Sequence, residues 1–97
     1  MECIREIVQG VKVGCFFDTH YVINRAIKDY SDDYLRFVSQ FANSEQPTFT
    51  AHQQIGQQVA KYEKKLVERQ ASQSHSLNIH GNGSECALWK RISGSGL

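Results

Sequence analysis

The chain has 97 residues, a formal net charge of +1 and 40% apolar side chains, enough for one modest hydrophobic core and one domain. Its longest apolar runs fall far short of the roughly 20 residues that cross a bilayer. Glu2, Arg5 and Glu6 near the start leave no apolar signal region, so no membrane partner and a cytoplasmic location are expected. Near-neutral charge excludes a uniformly basic nucleic-acid binder or an acidic mimic, and any charge argument must be local.

In chain order, residues 1–17 carry two patterns. Ile4, Ile7, Val8 and Val11 have helical spacing, whereas Val11, Val13, Phe16 and Phe17 around Gly14 read as a buried strand. A short helix or arm followed by a strand is expected. Asp18 or Thr19 then caps a helix over about 19–30, with Val22, Ile23, Ala26, Ile27 and Tyr30 on one stripe. Ser31 caps a second helix to about Ala42, its first turn carrying Asp32 and Asp33, where the macrodipole favours acids. Tyr34, Leu35, Val38 and Phe41 form its inner stripe.

A polar loop from Asn43 to Pro47 precedes Thr50 and Gln53, which read as a capping box for a third helix. That helix is expected to run from near Ala51 to about Gln70 and to bury Ile55, Val59, Tyr62 and Leu66. Asn82-Gly83 between two alternating runs is the preferred type I′ hairpin turn. It pairs Ile79 with Cys86 and Leu77 with Leu88 on one face, and puts Trp89 on the other. Ser93 to Leu97 reads as a disordered tail, leaving 1–92 as the domain. The expected core is Val22, Ile23, Ile27, Leu35, Val38, Phe41, Ile55, Val59, Leu66, Leu77, Ile79 and Leu88.

Catalytic and metal chemistry find little support at this level. Cys3, Cys15 and Cys86 are an odd count with no C-x-x-C spacing, consistent with free thiols in a reducing compartment. His75, His80 and Cys86 do not make a zinc site, because the expected hairpin puts His80 and Cys86 on opposite faces. Asp18, Asp32 and Asp33 are explained by helix starts, and the glycines at 81 and 83 lie in a hairpin tip rather than a phosphate loop. A non-enzyme without cofactor or metal is expected.

Binding chemistry is better represented. The third helix offers Gln57, Gln58, Lys61, Lys64 and Lys65, amides and ammonium groups of the kind that read base edges and phosphates. Lys90 and Arg91 follow Trp89 and are assigned to phosphates. Trp89 reads either as half of a second small core under the N-terminal arm or, with Tyr34 and Phe37, as a candidate interface anchor, and the aromatic stripe of the second helix gives either a wide core face or a homodimer surface. Together these give an α+β fold of about three helices on a C-terminal β-hairpin, with the strand near Val11 to Phe17 joining or covering the sheet, in winged-helix-like element order. The function expected is a small nucleic-acid-binding regulatory protein. The alternative is a non-enzymatic interaction module that inhibits or adapts a larger protein partner, of the kind mobile elements carry.

Overall fold

The computed structural model describes residues 1–92; the tail expected at 93–97 lies outside the described residues. The fold is α+β. Its elements are α1 (Cys3–Gln9), β1 (Phe16–Asp18), α2 (Thr19–Asp29), α3 (Ser31–Ser39), α4 (Pro47–Ala60), β2 (Val67–Leu77) and β3 (Gly83–Arg91). The three strands form one antiparallel sheet in the order β1-β3-β2.

Of the two patterns read in residues 1–17, the helical one is realised in α1, where Ile4, Ile7 and Val8 bury one face, whereas the strand is shorter than expected: β1 holds only Phe16–Asp18, Phe17 is buried opposite Trp89, and Val13 and Phe16 are exposed. Asp18 then ends the strand and caps α2: its backbone is extended and its Oδ1 accepts the Tyr21 amide at 2.8 Å. Val22, Ile23 and Ala26 bury the inner face of α2 as their spacing requires.

Three boundaries differ from the sequence reading. α3 stops at Ser39, and Ser31 gives no capping bond; Tyr30 is the cap residue. Within α3, Leu35 is 63% exposed while Tyr34 and Phe37 are buried. α4 begins at Pro47, because proline at the first helical position gives up an amide that has no helical partner there. Thr50 is thus inside the helix, its hydroxyl bonded to Ser44 Oγ at 3.0 Å.

The largest change is at the other end of α4. The helix ends at Ala60 rather than near Gln70, and Lys64 takes a left-handed conformation, φ 68°. Its amide bonds Val67 O at 2.8 Å, turning the chain so that Leu66 and Val67 bury and β2 begins. Polar residues from Glu68 to Ser76 therefore form a strand, because pairing with β3 satisfies their backbone groups whatever their propensity.

The hairpin exists, with a different register. Leu77 lies opposite Gly83, Ser76 opposite Ser84, and Ser74 opposite Cys86. Residues 78–82 make the turn: Asn78 Oδ1 accepts the amides of His80 at 2.9 Å and Asn82 at 3.1 Å, and Gly81 adopts φ +79°. Ser74 stands where Ile79 was expected, an odd shift of five residues, so the faces of β2 exchange and Leu77 becomes 63% exposed. Between Arg69 and Gln73 the pairing also shifts by a bulge.

The core joins α1, α2, α4 and the sheet. Ala51, Ile55 and Val59 line up along the inner face of α4. Trp89, 1% exposed, packs in the same cluster with its indole Nε1 donating to Thr19 Oγ1 at 3.4 Å. A methyl on Gly56 of α4 would stand 3.5 Å from Thr19 Cγ2, an ordinary contact. Gly56→Ala is therefore expected to stabilise the domain by up to about 1 kcal/mol through helix propensity. Urea unfolding should show a higher midpoint at unchanged slope; a lower midpoint would mean that α2 and α4 cannot admit the methyl.

Candidate functional site

The outer face of α4 is as regular as its inner face. Phe49, Gln53 and Gln57 recur every four residues and are all exposed, and exposed Lys61 follows at the helix end. This is one ridge along a helix of 14 residues, about 21 Å long at 1.5 Å per residue. The β2–β3 hairpin stands beside it. Between them opens a cleft of about 980 Å³, walled on one side by Gln53, Gly56, Gln57 and Ala60 and on the other by Arg69, Ile79, His80 and Ser84.

Polar and apolar groups share the lining of the cleft: His20 at the start of α2, His52 of α4 and Cys86 on β3 stand beside Ile23, Ala87 and Trp89. Asp18 sits behind them and ties the hairpin to α2: its Oδ2 accepts from Ser74 Oγ at 2.7 Å and from Ser76 Oγ at 2.8 Å. Ser76 Oγ also lies 2.7 Å from His20 Nδ1, within hydrogen-bond distance. Burial opposes ionisation of Asp18, yet the bonds from Ser74, Ser76 and the Tyr21 amide outweigh it and hold the carboxyl below its ordinary pKa. Burial pushes the Cys86 thiol up, with the Asp18 carboxylate adding to the effect. His52 is pushed down by burial and then by His80 and His20, and its Nε2 lies 2.7 Å from the Tyr34 hydroxyl.

Several sequence-based assignments change accordingly. Gln57 is on the exposed ridge as expected, but Gln58 is half-buried and its Oε1 accepts a 3.0 Å bond from the Met1 ammonium. Lys61, Lys64 and Lys65 are exposed; Lys61 is the C-cap of α4 and closes its ridge, whereas Lys64 and Lys65 lie not on a helix face but in the turn from α4 to β2, beside the Ala60 and Arg69 end of the cleft. Lys90 belongs to a different part of the surface, with its Nζ 5.9 Å from the Phe16 ring centre.

Arg91 is not a phosphate contact. It is 2% exposed, and its guanidinium donates to Val8 O at 3.2 Å, to Leu66 O at 3.4 Å and to Ile92 O. The bond to Val8 falls in the last turn of α1, where the helix dipole favours a cation. Trp89, Tyr34 and Phe37 are likewise buried rather than surface anchors. Tyr34 turns to His52, and Phe37 packs edge-on against Phe41 with ring centres 5.3 Å apart. The aromatic excess on the second helix is spent inside the molecule.

Residues to which the sequence reading gave no binding role also line the cleft. Gln53 extends the Gln57 ridge, and Arg69 faces the cleft with its guanidinium carbon 5.7 Å from the Trp89 ring centre. The four-residue spacing of Phe49, Gln53, Gln57 and Lys61 was visible in the chain. The meeting of Asp18, His20 and Cys86 was not, since it depends on the hairpin register. Comparison with protein-family models, with curated proteins and with solved structures finds no match to this chain.

Proposed function

We propose that this domain binds duplex DNA as a small, non-enzymatic regulatory protein, laying the α4 ridge in the major groove and the β2–β3 hairpin against the flanking backbone. The observation that carries the reading is the exposed series Phe49, Gln53 and Gln57 on α4, continued by Lys61 at its C-cap where the chain turns toward the hairpin. A major groove about 12 Å wide admits one helix, and glutamine amides pair with the two major-groove groups of adenine. Further support comes from topology. With α3 set aside, the order α1-β1-α2-α4-β2-β3 and the sheet order β1-β3-β2 are those of a winged helix, in which a groove-reading helix precedes the wing. The rival reading, a protein-binding module anchored by Trp89, Tyr34 and Phe37, loses its anchors to the core.

The cations beside the ridge are Lys61, Lys64, Lys65 and Arg69, while Glu45 and Glu85 line the cleft itself. Few phosphate contacts are therefore expected, and affinity should fall with salt along a log–log slope no steeper than about −3.6. Anisotropy of a labelled mixed-sequence duplex, titrated at low and physiological salt, tests this. The Lys61→Ala/Lys64→Ala/Lys65→Ala protein should flatten the slope by about 2.7. A wild-type protein that leaves anisotropy unchanged even at low salt would end the reading.

A further inference from the structure

One ligating atom each from Asp18, His20 and Cys86 lies within 4.8 Å of the other two, and all three residues are half-buried. They come from three places: the end of β1, the first turn of α2, and the middle of β3. The donor set is one carboxylate oxygen, one imidazole nitrogen and one sulfur. Oxygen, nitrogen and sulfur donors in a compact group of three suit zinc, whose bonds to them run about 2.0–2.3 Å. Tetrahedral zinc puts ligand atoms roughly 3.3–3.8 Å apart, so a contraction of about 1 Å by side-chain rotation closes the group.

We propose that Asp18, His20 and Cys86 form a zinc-ion site joining β1, α2 and β3, with a fourth coordination position open to the cleft between α4 and the hairpin. The supports that metal ligands need around them are in place. Ser74 and Ser76 both donate to the Asp18 carboxylate, and Ser76 also bonds the His20 ring. The carboxylate accepts three bonds, from Ser74, Ser76 and the Tyr21 amide, and a carboxylate has about four lone-pair sites. Entry is open as well, since His20 and Cys86 both line the cleft. On binding, the Cys86 thiol gives its proton to solvent and a zinc–sulfur bond forms; His20 binds through a neutral nitrogen. The ion would pin the hairpin to the start of α2, independently of any nucleic acid.

Cobalt(II) titration of the untagged protein tests the site, because a cobalt–thiolate bond gives an intense near-ultraviolet band and tetrahedral cobalt absorbs in the visible. One equivalent of cobalt should develop both bands, and zinc should bleach them. Cys86→Ser should abolish the thiolate band and His20→Gln should weaken cobalt binding by at least about tenfold, the loss that even outer-shell changes bring. Cys3→Ser/Cys15→Ser should leave the bands intact. Should Cys86→Ser fail to fold, X-ray absorption of the wild-type zinc complex decides, with one sulfur neighbour expected. No thiolate band at stoichiometric cobalt, a band that survives Cys86→Ser, or zero or several sulfur neighbours would overturn the site.

Discussion

Trp89→Ala should destabilise the domain by about 3–5 kcal/mol, the range for truncating a large buried aromatic. The indole is 1% exposed, Trp89 pairs with Phe17 of the neighbouring strand β1, and its Nε1 is the partner of the buried Thr19 hydroxyl. Truncation therefore opens a cavity where the sheet meets α2 and strips a buried hydroxyl of its donor. Circular dichroism in urea measures the loss, since the substitution removes the only tryptophan. A stable Trp89→Ala protein with impaired binding would instead return the residue to the surface role that its place beside Lys90 and Arg91 implies in the sequence.

Arg91→Met is the second large effect. Methionine keeps much of the apolar stem but removes donors to Val8 O, Leu66 O and Ile92 O. A buried carbonyl left bare costs about 1–3 kcal/mol; Val8 O keeps a 3.0 Å bond from the Val11 amide and Leu66 O a 2.9 Å bond from the Ile92 amide, so the expected total is about 1–3 kcal/mol on the same scale. Arg91→Lys should recover little of it, because one ammonium cannot span carbonyls from α1 and from the turn before β2. This separates the two roles of a basic residue. If Arg91 served DNA phosphates, Arg91→Lys would be stable and nearly unimpaired in binding; here it should be unstable.

These two residues also mark where the sequence was legible. Helices α2 and α3 could be read because their apolar residues recur at helical spacing and Asp18 is a strong cap; the α+β class and the hairpin followed from the alternating segment around residues 82 and 83. Local signals failed where tertiary pairing decided the outcome. Glu68 to Ser76 has no apolar alternation, so only its partner β3 makes it a strand. Asn82-Gly83 is a strong turn signal, yet the side chain of Asn78 organises a longer turn around Gly81, and that odd shift moved Ser74 and Ser76, not Ile79 and Leu77, to the face of Cys86. The polar part of the cleft lining follows from the register and was invisible without it. Arg91 read as a surface group because charge neighbours it in the chain, and Trp89 was left between a small core and an interface, because the burial of both depends on β1 and α1, distant in sequence. Of the five side chains assigned to the helix face, Gln57 and Lys61 lie along the α4 ridge and its C-cap, while Gln58 turns inward and Lys64 and Lys65 leave the helix.

The most direct test of the central claim, that α4 and the hairpin form a DNA-binding surface, is an amide NMR titration of the labelled protein with a mixed-sequence duplex at low salt. Shifts should concentrate on Gln53, Gln57, Lys61 to Lys65, Arg69 and the turn at 78–82, and should retreat as salt is added. Shifts confined to the opposite parts of the surface, such as the exposed side of α3 around Leu35, or no shifts at all, would contradict it.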